Sequence, residues 1–225
     1  MITYAFMKLA HFAGETATQS NPEHVVLPTK IVCVGRNYAA HAKELGNETP
    51  SEPIIFMKPP TTVLAPGGTI VRPPQSERVE YEGELAIVVS RRAHNIRRSE
   101  WRDYVLGFTC VNDVTARDLQ KKDVQFTRAK SFDTFCPIGP HIETDLDPSA
   151  LSLMTRVNGE VKQNGNTRDM VFACDVLFEF ITSVMTLCPG DVILTGTPAG
   201  VGPLNAGDVV EVEIEGIGTL RNNVA

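Results

Sequence analysis

The sequence predicts an α+β fold in which strands dominate. Three features lead to that class. Short apolar runs bounded by Gly and Pro recur along the chain, an Asn-Gly pair marks a tight hairpin, and one segment alone carries apolar side chains at helical spacing over several turns. With 225 residues, 42% hydrophobic and 21% charged, the chain has the composition of an ordinary globular protein and the length for one sizeable core. A net charge of -6 argues against nucleic acid as a partner, because proteins that hold phosphate backbones carry clustered Lys and Arg.

Taken in order, residues 1–28 are expected to form a short N-terminal appendage and residues 29–225 the main domain. The boundary rests on the turn cluster Gln19-Ser20-Asn21-Pro22-Glu23, which precedes the first strong apolar strand. Met1–Gly14 has one Lys and a broken apolar pattern, unlike a secretory signal, and is read as mature protein. Lys30–Gly35 (KIVCVG) reads as a buried strand, Tyr38–Leu45 as a short helix and Pro53–Lys58 as a further strand. Glu82–Ser90, Val105–Asp113 and Leu151–Val157 continue the β character. In Val157-Asn158-Gly159-Glu160 both central residues tolerate positive φ, so a hairpin is expected there, its strand returning through Val161–Gln163. Asp175–Leu187 (DVLFEFITSVMTL) is the clear helix, stopped by Pro189-Gly190. Asp208–Ile214 and Thr219–Val224 alternate as two terminal strands joined at Gly216–Gly218.

No apolar run approaches the roughly 20 residues needed to cross a bilayer, so no membrane association is expected. The five cysteines (Cys33, Cys110, Cys136, Cys174, Cys188) are odd in number, widely spaced and without a CxxC pair. That speaks against both a disulfide framework and a thiolate zinc site, and fits a reducing, cytoplasmic setting. Asn47-Glu48-Thr49 matches a glycosylation sequon but reads as an ordinary surface loop.

Tyr81-Glu82-Gly83-Glu84 leads into the apolar run Leu85–Val89, and on a strand residues two apart share a face. Glu82 and Glu84 therefore point together, with Glu80 farther back on the same face. Two carboxylates about 4 Å apart repel by roughly 4 kcal/mol at an effective dielectric near 20, a cost that a bound cation or full solvation removes. A solvated strand face is the plain alternative. Farther on, Asp113 closes a predicted strand and is followed by Arg117, Asp118 and Gln120; it is either a third acid for the same centre or the N-cap of the next helix.

Six blocks carry a resemblance in order and spacing: GRNYAAHAKE (35–44), FMKP (56–59), YEGELA (81–86), NDVTARDLQ (112–120), AKSFD (129–133) and GDVILTGTPAGVGP (190–203). Together they resemble the fumarylacetoacetate hydrolase family from about Lys30 to the C-terminus. The resemblance implies a β-rich mixed roll of the C-terminal-domain type over the catalytic domain, residues 29–225, and a homodimer. It implies Glu82, Glu84 and Asp113 as ligands of Mg²⁺ or Mn²⁺, hard cations suited to oxygen donors.

His41 and Glu44 lie three apart on the predicted helix, so they neighbour each other. A carboxylate fixes the imidazole tautomer needed to take a proton from water. Read without the family, the two would be an exposed surface pair. The resemblance implies a catalytic pair on a lid, about Arg36–Thr49, that orders over the substrate. Arg117 and Gln120 offer a guanidinium and an amide to a substrate carboxylate, or are solvated helix groups. Arg36, at the start of the lid, is taken as a further substrate-binding residue. Lys130 in AKSFD resembles the family's lysine near the scissile carbonyl, where a cation offsets developing charge, while Lys58 is the weaker candidate and reads as snorkelling.

Gly196–Gly202 follows an apolar strand but lacks the helix, the downstream acid and the Gly-Lys-Ser/Thr of nucleotide loops. Its backbone N–H groups and the Thr197 hydroxyl, or that of Thr195, suit a small carboxylate. No GxSxG elbow or Cys/His signature occurs, so water is the expected nucleophile. The expected reaction is C–C cleavage of an acylpyruvate of the fumarylpyruvate or acetylpyruvate type through a metal-held enolate. Oxaloacetate decarboxylation is a possible second activity. The alternatives are isomerisation of 2-hydroxymuconate-type dienols, such as 2-hydroxyhepta-2,4-diene-1,7-dioate, and a non-catalytic metal-binding homologue.

Overall fold

The structure is a computed structural model and describes residues 28–225. The expected appendage, residues 1–28, lies outside the described residues apart from Pro28. In chain order the strands are β1 (Ile31–Gly35), β2 (Ile54–Lys58), β3 (Val63–Leu64), β4 (Thr69–Ile70), β5 (Val79–Tyr81), β6 (Gly83–Val89), β7 (Val105–Asn112), β8 (Thr115–Ala116), β9 (Cys136–Glu143), β10 (Ser152–Val157), β11 (Glu160–Asn166), β12 (Val192–Leu194), β13 (Gly202–Pro203), β14 (Val209–Ile214) and β15 (Gly218–Val224). The α-helices are α1 (Ala39–Glu44), α2 (Arg117–Lys122), α3 (Thr127–Lys130) and α4 (Cys174–Val184).

The strands form a seven-stranded sheet ordered β2-β1-β12-β6-β7-β9-β3, a five-stranded sheet β11-β10-β14-β15-β4 and a three-stranded sheet β13-β5-β8. This is the mixed, strand-rich α+β roll expected. β6 explains the layering. It is central and buried along its whole length, which is why its sequence is a near-continuous apolar run. Its odd residues Leu85, Ile87 and Val89 enter one core with Leu153 and Val212 of the five-stranded sheet and Leu177, Phe178 and Ile181 of α4. Its even residues Ala86 and Val88 enter a second core on the opposite face, with Cys33, Val111 and Leu194. Extending that alternation backward puts Glu84 and Glu82 on the second face and Gly83 on the first.

Gly83 has a steric reason to be glycine. A β-carbon there would lie 2.2 Å from Thr155 Oγ1 and 3.2 Å from Gln163 Oε1, on the facing sheet. Without a side chain at this point the two sheets close, and the acids on either side of it turn away from the interface.

Asp191 ties the start of β1 to the sheet. Its carboxylate accepts from the Thr29 N–H and hydroxyl, both at 2.8 Å, the Lys30 N–H at 3.1 Å, the Lys30 ammonium at 2.6 Å and the Cys188 N–H at 2.8 Å. The hairpin at Asn158 and Gly159 has the expected positive φ values, 53° and 80°.

Three expectations are corrected. The long helix ends at Val184, not Leu187, because Met185 is extended and Leu187 exchanges backbone hydrogen bonds with Ala93 at 3.0 and 2.9 Å. Asp113 is not a helix cap: β8 intervenes, and α2 begins at Arg117 after Ala116. The return strand of the hairpin runs through Glu160–Asn166, longer than Val161–Gln163. All five cysteines are free, and among the described residues no helix is long and apolar enough to cross a membrane.

Candidate active site

Glu82 occupies the break between β5 and β6, where the chain passes from the three-stranded to the seven-stranded sheet, and Asp113 follows the end of β7. One backbone and one side-chain hydrogen bond hold these ends together. Asp113 N–H donates to the Glu82 carbonyl at 2.8 Å, and Glu82 N–H donates to Asn112 Oδ1 at 2.9 Å. Glu82, Glu84 and Asp113 are all buried, and each offers a carboxylate oxygen within 4.8 Å of the others.

Buried acids so close need compensation. Lys130 supplies part of it, its ammonium donating to Glu82 and Asp113 at 2.6 Å each. Lys58 donates to Asp113 as well, and to the Val114 carbonyl at 3.2 Å. Arg117 donates from Nε to Glu80 at 2.6 Å and from its two terminal nitrogens to Glu82 and Gln120 at 2.5 Å each. Burial alone would raise the Glu82 carboxyl, but Lys130 and Arg117 outweigh it and hold Glu82 well below the usual carboxylate range. Burial lowers Lys130 less than Asp113 and Glu82 raise it, so its ammonium is held protonated.

Glu84 is the exception. Among the described residues its carboxylate accepts only the Gly196 N–H, at 2.7 Å. Burial, then Asp113 and Glu82, push its carboxyl well above the ordinary value. Four buried acids (Glu80, Glu82, Glu84, Asp113) thus face three buried cations (Lys58, Arg117, Lys130), and the acid left over is Glu84. Three convergent oxygen donors with a surplus negative charge fit a hard divalent cation such as Mg²⁺ or Mn²⁺.

The same cavity, about 350 Å³, is lined by His41 and Glu44 of α1, by Arg36, by Gln120 of α2 and by Thr197, besides the acids, Arg117 and Lys130. His41 is 5% exposed, and its Nδ1 lies 3.1 Å from Glu44 Oε2. A carboxylate at Nδ1 puts the proton there and leaves Nε2 as the nitrogen that can accept one. The other Glu44 oxygen accepts the Gly200 N–H at 3.0 Å. At the base of the expected lid, Asn37 is buried: its amide donates to the carbonyls of Thr195 and Phe172 at 2.7 and 3.0 Å, and its oxygen accepts from Phe172 N–H at 2.8 Å. The segment is therefore fixed at Asn37 and touches the far wall through Glu44. Arg36 just before it has φ 57°, an uncommon conformation for a non-glycine residue.

Of the sequence-predicted site residues, all but the weaker candidates Lys58 and Thr195 line this one cavity, but several are engaged differently from expectation. Arg117 is 3% exposed and spends its donors on Glu80, Glu82 and Gln120. Gln120 uses its oxygen on Arg117, leaving its –NH₂ as the end it can offer a ligand. The Thr197 hydroxyl donates to the Gly83 carbonyl and accepts from Gln163, both at 2.8 Å. The Thr195 hydroxyl donates to the Leu85 carbonyl at 2.8 Å, so it does not replace Thr197. The Gly196 and Gly200 N–H groups, expected for a ligand carboxylate, hold Glu84 and Glu44 instead. Lys58 does not snorkel: it is 1% exposed and paired with Asp113. Its burial in FMKP has no sequence signal of its own. Glu80 was visible as the third acid of the stripe, but its pairing with Arg117 was not.

Comparison with known proteins agrees with this geometry. Residues 30–225 match the fumarylacetoacetate (FAA) hydrolase C-terminal family. The mitochondrial oxaloacetate tautomerase of Arabidopsis thaliana is 46% identical over 202 residues, covering 87% of this chain and 91% of that protein. The crystal structure of 5-carboxymethyl-2-hydroxymuconate delta-isomerase from Mycobacterium smegmatis superposes with a TM-score of 0.84 at 50% identity, over 89% of this chain and 80% of that one. Fumarylpyruvate hydrolase from Pseudomonas aeruginosa, solved in complex with Mn²⁺ and pyruvate, gives a TM-score of 0.82 at 29% identity, over 87% and 89% of the two chains. The chain belongs to the fumarylacetoacetate hydrolase family, whose members here are hydrolases, isomerases and tautomerases.

Proposed function

We propose that this chain is an Mg²⁺- or Mn²⁺-dependent enzyme acting on a small 2-oxo acid, and that it hydrolyses a C–C bond in acylpyruvates of the fumarylpyruvate or acetylpyruvate type. The observation that carries the reading is the pairing of buried His41 with the partly exposed Glu44, facing three buried carboxylates across one cavity.

Glu82, Glu84 and Asp113 would hold a divalent cation, which would supply a positive charge against the negative charge that develops on the 2-oxo acid. His41 Nε2 takes a proton from water while Glu44 holds the opposite nitrogen. The hydroxide adds to the distal acyl carbonyl, and the C–C bond breaks with its electron pair left on the pyruvate carbon. That carbon takes up a proton, so water is consumed and a carboxylic acid and pyruvate leave. Lys130 offsets negative charge developing on oxygen. The Gln120 amide and Arg36 orient the ligand, Thr197 shapes the cavity wall, and the segment Arg36–Thr49 excludes bulk water.

A second reading, oxaloacetate tautomerisation or dienol isomerisation, is supported by what the A. thaliana and M. smegmatis relatives are named for. Both need a proton moved but no activated water. A substrate panel with product identification separates the chemistries: pyruvate plus a carboxylic acid, pyruvate plus CO₂, or an isomer. On the hydrolytic reading, His41→Ala lowers acylpyruvate cleavage by about 10²–10⁴-fold and leaves Mn²⁺ affinity nearly unchanged. Wild-type cleavage by that variant removes His41 from the mechanism, and no turnover on any member of the panel favours a non-catalytic binding protein.

A further inference from the structure

Glu44 is half exposed at the edge of α1, so something must hold its carboxylate against His41. Among the described residues, the only backbone donor to it is the Gly200 N–H, at 3.0 Å. Gly200 is itself fixed by geometry that only glycine allows. Its φ is +101°, and a β-carbon would meet the Lys162 carbonyl oxygen at 2.2 Å. The turn is therefore pressed against β11 and cannot shift that way.

From the opposite side it is held by Tyr81, whose phenol donates to the Gly200 carbonyl at 2.9 Å. Tyr81 also pairs by backbone with Gly202, where a β-carbon would lie 2.8 Å from the phenol oxygen. The other end of the turn is held separately, Gln163 donating to Thr197 Oγ1 and the Pro198 carbonyl at 2.8 Å each. Tyr81 is thus the side chain that fixes Gly200 at its carbonyl, one peptide on from the N–H that reaches the dyad.

We infer that Tyr81 is a positioning residue for proton transfer: by pinning Gly200 it aims the Gly200 N–H at Glu44, and Glu44 in turn holds His41. The inference rests on the reading of His41 and Glu44 as the proton-transfer pair. It reaches past the acids in the same motif, since among the described residues the Tyr81 side chain hydrogen-bonds to the Gly200 carbonyl and to no carboxylate of the triad or the dyad. A tyrosine that merely packs would do as well without its hydroxyl, because Phe fills the same space.

The test is a double-mutant cycle on the full chain, Tyr81→Phe, Glu44→Gln and both together, with acetylpyruvate and Mn²⁺ as probe and hydrogen exchange at the Gly200 amide as a readout free of turnover. Tyr81→Phe is expected to lower kcat about fivefold, the worth of one lost hydrogen bond, with KM and Mn²⁺ affinity unchanged and Gly200 exchange accelerated. Glu44→Gln is expected to cost about a hundredfold, and the double variant no more than that, because Tyr81 acts through Glu44. Multiplicative losses, wild-type kcat in Tyr81→Phe, or Gly200 exchange that is unchanged in Tyr81→Phe would overturn the inference. Wild-type turnover by Glu44→Gln would instead sink the dyad reading on which it rests. If acetylpyruvate is not turned over, the exchange pattern decides: Tyr81→Phe must speed Gly200 both in the wild-type background and in Glu44→Gln, and unchanged exchange overturns the inference.

Discussion

Glu82 and Glu84 are two residues apart, share a face and are both buried, yet their surroundings oppose each other. Glu82 accepts from Lys130 and Arg117; Glu84 has one backbone N–H and two neighbouring acids that repel it. Substitution by glutamine should separate them. Glu82→Gln strips two buried cations of a partner and is expected to cost about 3–5 kcal/mol of apo stability as well as weakening the cation. Glu84→Gln removes a carboxylate that burial already disfavours, so the apo protein is expected to melt at or above the wild-type temperature while Mn²⁺ affinity falls. Thermal melts in chelator, paired with Mn²⁺ titration, check both. If both variants lose equal stability, Glu84 has a cationic partner that this account lacks. The charge arithmetic at this scale was only partly open to sequence reasoning. Alternation along a strand brings Glu82 and Glu84 together, but nothing in FMKP or NDVTARDLQ says that Lys58 and Arg117 turn inward to pair with Asp113 and Glu82.

Among the elements, β1 depends on a contact 161 residues away in sequence, the Lys30–Asp191 pair. Burial opposes ionisation of Asp191, but the Lys30 ammonium and the Cys188 and Thr29 donors outweigh it and hold the carboxyl below its ordinary value. The unfolded chain then takes up this proton first as the pH falls. The stability it gives is present above about pH 4, the ordinary aspartate value, and is lost as the pH drops through the lower folded value. Asp191→Ala is expected to cost roughly 2–4 kcal/mol at neutral pH, leaving buried N–H donors unsatisfied, and to flatten the acid limb of the stability curve. Denaturant titrations between pH 3 and 7 read both effects, and an unchanged acid limb would mean another group controls it.

Elements with a clear period were legible in the sequence: β1, β2, β6, β7, β10, α1, α4 and the terminal pair β14 and β15. β9 was not, because Pro137, Gly139 and Pro140 interrupt its pattern while the chain still pairs with β7. Local signals misplaced the end of α4 for a different reason: the bridge from Leu187 to Ala93 is tertiary and overrides helix propensity.

For the molecule as a whole, the site forms where the three-stranded and the seven-stranded sheets meet. β5 and β6 belong to different sheets and flank Glu82, β7 delivers Asp113, and the turn after β12 holds Glu84 and Glu44 by backbone N–H groups. The chemistry-bearing residues were legible because each stands in one of the six motifs. Their mutual engagement was not, since it depends on long-range pairing that no single motif encodes. The expected homodimer belongs to this scale too: sedimentation equilibrium should return twice the 24.6 kDa chain mass, and a monomer would contradict it.

If Glu82, Glu84 and Asp113 together hold one divalent cation, calorimetric titration of Mn²⁺ into the chelator-treated protein and its Glu84→Gln variant returns one ion per chain for the wild type and a loss of affinity of at least tenfold in the variant. Wild-type affinity in Glu84→Gln, or no binding by either protein, rules that site out.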